Sequence, residues 1–219
     1  MKSSKKILGI DEAGRGPIIG PLVLAGVMLD EKEINRKLSQ AKDSKKLTKK
    51  QRERLFNKYI KTITYKVIIV KPKEIDEALA SDHLNLNWLE AHKSAEIINA
   101  LNPDEAHIDS PSPNAVRYKQ YIKKLLLNKN IELIVGHKME SKSKAVAAAS
   151  IIAKVIRDRA IEEIEKKYGN IGPGYMSNIT TQKFFKENWD KYPEIFRKSW
   201  IPWKNHKEKK EQKTLDKFS

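Results

Sequence analysis

Two neighbouring carboxylates, Asp11 and Glu12, run straight into Gly14-Arg15-Gly16, and this is the part of the chain whose residue types are best suited to chemistry. The acids close an apolar run, Ile7-Leu8-Gly9-Ile10. Acidic oxygens at the end of a buried strand suit a hard divalent cation, and flexible backbone amides beside a guanidinium suit a phosphodiester. A third acid, Asp109, follows Ala106-His107-Ile108 and precedes Ser110-Pro111, so it also ends a strand-like run at a turn. If the two runs are parallel neighbours, their carboxylates stand one strand spacing, ~4.8 Å, apart and repel unless a cation lies between them. Adjacent strand residues face opposite ways, so Glu12 joins such a site only if its strand ends or bulges there. Each acid has a plain reading too: an acidic turn after an edge strand for Asp11-Glu12, a turn-initiating aspartate for Asp109.

The glycine loop matches neither familiar nucleotide signature. It lacks the Gly-Lys-Ser/Thr ending of a P-loop, and Gly20 comes one residue late for the dinucleotide fingerprint. Asp43-Ser44-Lys45-Lys46-Leu47, just before a predicted helix, could hold phosphate through Lys45 and the helix start, or could be an ordinary exposed helix entry.

Early strands are expected over residues 6–11, 21–29 and 63–70, the last alternating as Ile63, Tyr65, Val67 and Ile69. A helix should separate the second from the third: Thr48 and Gln51 have capping-box spacing, and Leu55, Phe56, Tyr59 and Ile60 follow as an apolar stripe. Short β-prone runs at 105–109 and 131–135 flank a helical stretch at 114–127. The clearest helix is 145–168, where Ala145, Ala148, Ala149, Ile152, Val155 and Ile156 keep helical period and small side chains at the start permit close approach to a sheet. Arg157, Asp158 and Arg159 read as a solvated ionic face, and Gly169 as a left-handed cap. Strands first and alternation later indicate an α/β fold with a mixed sheet.

With 219 residues the chain can form one large domain. Lysine and arginine outnumber aspartate and glutamate by 44 to 28, a formal charge of +16, which is the footprint of a polyanion-binding protein or of a lysine-rich proteome. The absence of cysteine excludes disulfides and thiolate zinc sites, so any metal is held mainly by oxygen. No run approaches the ~20 apolar residues of a membrane span, and a cytoplasmic protein without membrane association is expected. Residues 204–219 are too polar to bury and read as a flexible basic tail after a catalytic domain at 1–203.

Taken together, residues 9–17 (GIDEAGRGP), 19–23 (IGPLV), 43–48 (DSKKLT), the strand-end Asp109, 147–159 (AAASIIAKVIRDR), 172–175 (GPGY) and 197–200 (RKSW) resemble the ribonuclease HII family, most closely its archaeal and eukaryotic-type branch. The resemblance spans residues 6–203. It implies a ribonuclease H-like fold, a five-stranded mixed sheet flanked by helices with a helical C-terminal extension. It also implies a monomeric endonuclease that cuts the RNA strand of RNA/DNA hybrids and 5′ to ribonucleotides embedded in duplex DNA. The family's metal-binding acids fall on Asp11, Glu12, Asp109 and Glu140, for Mg2+ or Mn2+. Its Gly-Arg-Gly loop falls on Gly14, Arg15 and Gly16, and its junction-sensing tyrosine on Tyr175. The chemistry would be in-line hydrolysis with two cations ~4 Å apart, leaving 3′-hydroxyl and 5′-phosphate ends. The competing readings are a related nuclease acting on DNA and a non-catalytic hybrid-binding protein.

Two positions depart from the family pattern. Lys138-Met139-Glu140 stands where Lys-Ala-Asp is usual, and the extra methylene moves the carboxylate outward by more than ~1 Å. Gly172-Pro173-Gly174-Tyr175-Met176-Ser177-Asn178-Ile179 replaces Gly-Ser-Gly-Tyr-Pro-Ser-Asp-Pro, exchanging one proline for another around the tyrosine. Near the C-terminus, Gln212, Leu215 and Phe218 have the Gln-x-x-Leu-x-x-aromatic spacing of a peptide that docks on the sliding clamp of replication, with Ser219 in place of a second aromatic.

Overall fold

A computed structural model describes residues 4–41 and 47–215, with side chains through residue 212. The strands are β1 (Lys6–Ala13), β2 (Leu22–Asp30), β3 (Thr64–Val70), β4 (Glu105–Asp109) and β5 (Glu132–Gly136). The helices are α1 (Glu31–Lys37), α2 (Lys49–Thr62), α3 (Pro72–Leu79), α4 (Leu86–Leu101), α5 (Ala115–Leu125), α6 (Lys144–Tyr168), α7 (Ile179–Asn188) and α8 (Ile201–Leu215). The chain groups into two compact units: Met1–Ala13, Val23–Ile69 and Asn85–Arg157 form the first, and Gly14–Leu22, Val70–Leu84 and Asp158–Ser219 the second.

The first unit is built on a mixed sheet of order β3-β2-β1-β4-β5. β1 and β2 are antiparallel with Asp11 opposite Ala25 and Glu12 opposite Leu24, while β1–β4 and β4–β5 are parallel. One sheet face presents Val23, Ala25, Val27 and Leu29 to Leu55, Phe56 and Tyr59 of α2 and to the alanines and isoleucines of α6. Burying each such aliphatic side chain is worth ~1.5–3 kcal/mol. α6 lies unusually close: a Cβ on Gly9 would come within 2.1 Å of the Ala145 carbonyl carbon and 2.2 Å of the Val146 nitrogen. Glycine on the strand and alanine on the helix thus let backbone meet backbone. On the opposite face, Gly26 leaves room for Ile97 of α4, whose methyl would stand 2.4 Å from an added Cβ.

Local sequence sets the helix ends. Thr48 and Gln51 form the expected capping box at α2. Asn85 and Asn114 accept the amides of Trp88 and Arg117 to start α4 and α5, and Asn102 ends α4 in the left-handed region at φ 44°. Gly169 follows α6 at φ 90°, its amide bonded to the Glu165 carbonyl.

In the second unit, Ile18, Ile19, Ile161, Ile171, Phe184, Phe185, Ile195, Phe196 and Trp203 form the core. The 18–20 segment is stitched on both sides. Ile18 donates to the Gly174 carbonyl at 2.8 Å, Arg197 to the Ile18 carbonyl at 2.9 Å, and Gly20 to the Ile195 carbonyl at 3.0 Å.

Two expectations are corrected. Residues 204–215 are not a loose tail but continue α8, because Trp203 packs with Phe196 and Trp189, His206 lies edge-on to Phe185 and Trp189, and Lys210 pairs with Asp190 at 2.6 Å. Arg157 is buried rather than part of a solvated face. Among the described residues, no helix is long and apolar enough to cross a membrane.

Candidate active site

The parallel pairing of β1 with β4 runs to Ile10 opposite Ile108, so the next residues along the two strands are Asp11 and Asp109. Asp11 is buried, and burial, reinforced by the charges of Asp109 and Glu140, pushes its carboxyl up to about 7 against hydrogen bonds from Ser150 and the Glu12 amide. The Glu12 N–H donates to Asp11 Oδ1 at 2.8 Å.

Asp109 is tied to the segment that carries Glu140. The Met139 N–H donates to Asp109 Oδ1 at 2.7 Å, and Glu140 sits in a short 3-10 turn, Met139–Ser141, entered through Lys138 at φ 56°. Asp11 is therefore within electrostatic reach of two of the other sequence-assigned acids, Asp109 and Glu140. The fourth, Glu12, lies on a strand that stays paired through Ala13 opposite Val23.

A polar chain links the residues just before β1 and α6 to β4. Lys5 Nζ contacts Glu105 Oε2 at 2.5 Å, Glu105 Oε1 lies 2.5 Å from His107 Nε2, and His107 Nδ1 lies 2.8 Å from Ser143 Oγ. With the proton on Nε2, His107 donates to Glu105 and accepts from the Ser143 hydroxyl, whose oxygen is then available to the Val146 amide at the start of α6, 3.5 Å away. Glu105, His107 and Asp109 share one face of β4 by strand alternation.

The donor set suits a hard divalent cation. It is all oxygen, and three carboxylates brought together raise one another's proton affinity unless a cation relieves them. Among the described residues, no three His, Cys, Asp or Glu side chains are already arranged as a metal cage. When bound, divalent ions would supply the Lewis acidity that generates a nucleophile and stabilises a leaving oxygen.

In the second unit the glycine loop and the tyrosine come together. Gly14 adopts φ 82°, and a Cβ on Gly16 would lie 3.7 Å from Tyr175 Cε1. Tyr175 is 38% exposed, a surface ring rather than a core one. Its loop is held despite the exchanged prolines. Gly172 and Gly174 supply φ 63° and 82°, Thr181 Oγ1 bonds both the Ile171 carbonyl at 2.8 Å and the Gly174 amide at 3.1 Å, and Asn178 caps α7.

Arg197 is fully buried and donates to the carbonyls of Gly20 (3.0 Å), Arg15 (2.8 Å) and Gly14 (2.5 Å), while Trp200 Nε1 donates to the Gly16 carbonyl at 3.2 Å. Lys45 lies outside the described residues, as does Phe218. Gln212 is exposed on α8, and Leu215 is its last residue.

Ser150, Ser143, His107 and the Arg197–Trp200 pair were not singled out from the sequence as site residues. Ser150 did carry a signal: it is the hydroxyl that interrupts the run Ala147-Ala148-Ala149 on the helix expected to approach the sheet.

The Ribonuclease HII family profile matches residues 8–203. Ribonuclease HII of Pyrococcus horikoshii is 43% identical over 97% of this chain and 99% of its own length. The crystal structure of ribonuclease H2 from the same organism superposes with a TM-score of 0.85 at 42% identity, covering 93% of this chain and 98% of that one. The RNase HII of a solved complex with PCNA from Archaeoglobus fulgidus has a TM-score of 0.80 at 38% identity, covering 89% of this chain and 94% of that one.

Proposed function

This chain belongs to the ribonuclease HII family of metal-dependent nucleases, and we propose that it hydrolyses the RNA strand of RNA/DNA hybrids and cuts 5′ to single ribonucleotides in duplex DNA. The observation that carries the reading is the junction of β1 and β4, where Asp11 and Asp109 follow the last paired residues of neighbouring parallel strands and burial, reinforced by the charges of Asp109 and Glu140, pushes the Asp11 carboxyl up to about 7. Asp11, Asp109 and Glu140 would hold two Mg2+ or Mn2+ ions, with Glu12 assigned by the family resemblance alone. The products would carry 3′-hydroxyl and 5′-phosphate ends.

The chain's own residues would divide the remaining work. Ser150 holds Asp11 and the Met139 amide holds Asp109, so that both carboxylates keep their place as charge accumulates. The amides of the Gly14–Gly16 loop and the Tyr175 ring would read the 2′-hydroxyl, the group that distinguishes a ribonucleotide from its neighbours. Arg15, Lys45 and the surplus of cationic side chains would hold flanking phosphates without regard to sequence. The C-terminal Gln212, Leu215 and Phe218 would dock on a replication clamp, a proposal supported by the clamp complex of the Archaeoglobus relative.

The deciding experiment compares a DNA duplex bearing one ribonucleotide with the same duplex in all-DNA form, with Mg2+ and after chelation. Cutting restricted to the ribonucleotide and dependent on the ion is expected. Equal cutting of both duplexes would favour a DNA nuclease, and ion-dependent binding without cutting a non-catalytic hybrid-binding protein.

A further inference from the structure

The carbonyls of the glycine loop all face one way. Arg197 takes those of Gly14 and Arg15, and Trp200 takes that of Gly16. In a trans peptide the N–H of the following residue points opposite to the carbonyl, and no peptide bond among the described residues is cis. Fixing the Gly14 and Arg15 carbonyls therefore turns the amides of Arg15 and Gly16 to the far side of the loop. The next residue, Pro17, has no N–H to direct. Gly16 lies beside the exposed Tyr175 ring, which brings this end of the loop next to that ring.

We infer that Arg197 and Trp200 are positioning residues for ribose recognition: Arg197 orients the two peptides whose amides, those of Arg15 and Gly16, are aimed at the sugar beside Tyr175, and Trp200 anchors the end of the loop through the Gly16 carbonyl; this rests on the ribonucleotide-cutting reading above. The pair is itself held. Asp76 on α3 accepts the Lys198 amide at 2.8 Å through one oxygen and the Ser199 amide and hydroxyl at 2.8 and 2.6 Å through the other, fixing the turn between Arg197 and Trp200. The guanidinium of Arg197 also stacks over the Trp200 ring at 4.8 Å. A lysine at 197 has one ammonium in place of a planar fork and cannot span three carbonyls in the same geometry.

The test uses the full chain with Trp200→Phe, which keeps a ring but removes the N–H, together with Arg197→Lys and Asp76→Asn. For each, kcat and KM are measured on a duplex with one ribonucleotide in Mg2+, the dissociation constant on the matching all-DNA duplex, and the melting temperature. Trp200→Phe should lower kcat at the ribonucleotide by about threefold to tenfold, the worth of one hydrogen bond, with KM and all-DNA affinity within about twofold. Arg197→Lys should lower it further, and Asp76→Asn should fall between the two.

Full selectivity in Trp200→Phe, or a proportional loss of ribonucleotide cutting and all-DNA binding, would overturn the inference. If Arg197→Lys fails to fold, Trp200→Phe still decides. A parent protein that ignores the ribonucleotide fails the functional reading itself, before any variant is made.

Discussion

Asparagine in place of Asp11 or Asp109 removes one negative charge and almost no volume. Either change should abolish Mg2+-dependent cleavage while duplex binding persists, because binding rests on cations elsewhere; near-normal turnover would remove these residues from the metal site. Asp11 also sets a pH signature. Its folded-state carboxyl stands near 7, above the ordinary value of 3.8, so the stability linked to it is fully present below the unfolded value and is lost as pH rises through the folded one. The metal-free protein should therefore melt several degrees lower at pH 8 than at pH 5 through this group, Asp11→Asn should flatten that slope, and scanning calorimetry across pH checks both. Glu140→Asp should keep or raise Mg2+-dependent turnover, and Glu140→Gln should lose most of it; equal rates for Gln and parent across a metal titration would make Glu140 a bystander. The placement of Asp11 and Asp109 at neighbouring strand ends was legible in the sequence, because an apolar run that closes on a carboxylate announces where that carboxylate stands, whereas Glu140 followed only from the family resemblance. Ser150 and Arg197 were not, since their roles depend on which carboxylate or carbonyl the tertiary fold brings opposite them.

At the level of elements, the link from Lys5 through Glu105 and His107 to Ser143 joins the strand of Asp109 to the helix that follows Glu140. Ser143→Ala should cost ~1–2 kcal/mol as a lost helix cap and a lost hydrogen bond, and Ser143→Thr should restore much of it. Denaturant unfolding measures the stability, and a metal titration of the same variants shows whether Glu140 has shifted. Burial works against ionisation of Glu105, yet the hydrogen bonds from Lys5 and His107 prevail and hold its carboxyl below the ordinary range, so its contribution is present above the unfolded value and disappears as pH falls through the folded one. All five strands, the capping box of α2 and the glycine that closes α6 could be read from period and punctuation. α4 could not, because its buried side includes Glu90 and Ser94, which break the apolar pattern. α8 escaped for a similar reason: its polar composition hides a single packed edge made by Trp203 and His206.

For the molecule as a whole, the charge of +16 predicts all-DNA affinity that falls steeply with salt, while the preference for a ribonucleotide over deoxyribonucleotides falls much less. Fluorescence anisotropy over a salt series separates the two. Ending the chain at Lys210 retains the ion pair with Asp190 but removes Gln212, Leu215 and Phe218. That truncation should abolish binding to a clamp from the same organism and leave cleavage of free substrate unchanged; indistinguishable clamp affinities would discard the docking peptide. The division into two units was not legible, because each gathers stretches from distant parts of the chain and no composition change marks where the chain crosses.

Gly9 separates what can be redesigned in this protein from what cannot. The atoms that a side chain there would strike belong to the main chain of Ala145 and Val146, and no substitution elsewhere can shorten a main chain. A saturation library at position 9 should thus return glycine alone, whatever activity is selected. Gly169 is the opposite case, with open space around it and only a φ of 90° to satisfy, so asparagine should pass there. The routes by which this enzyme can be evolved toward other substrates therefore lead through Glu140 and the Tyr175 loop, and a library that spends diversity on the helix–strand seam will return mostly unfolded clones.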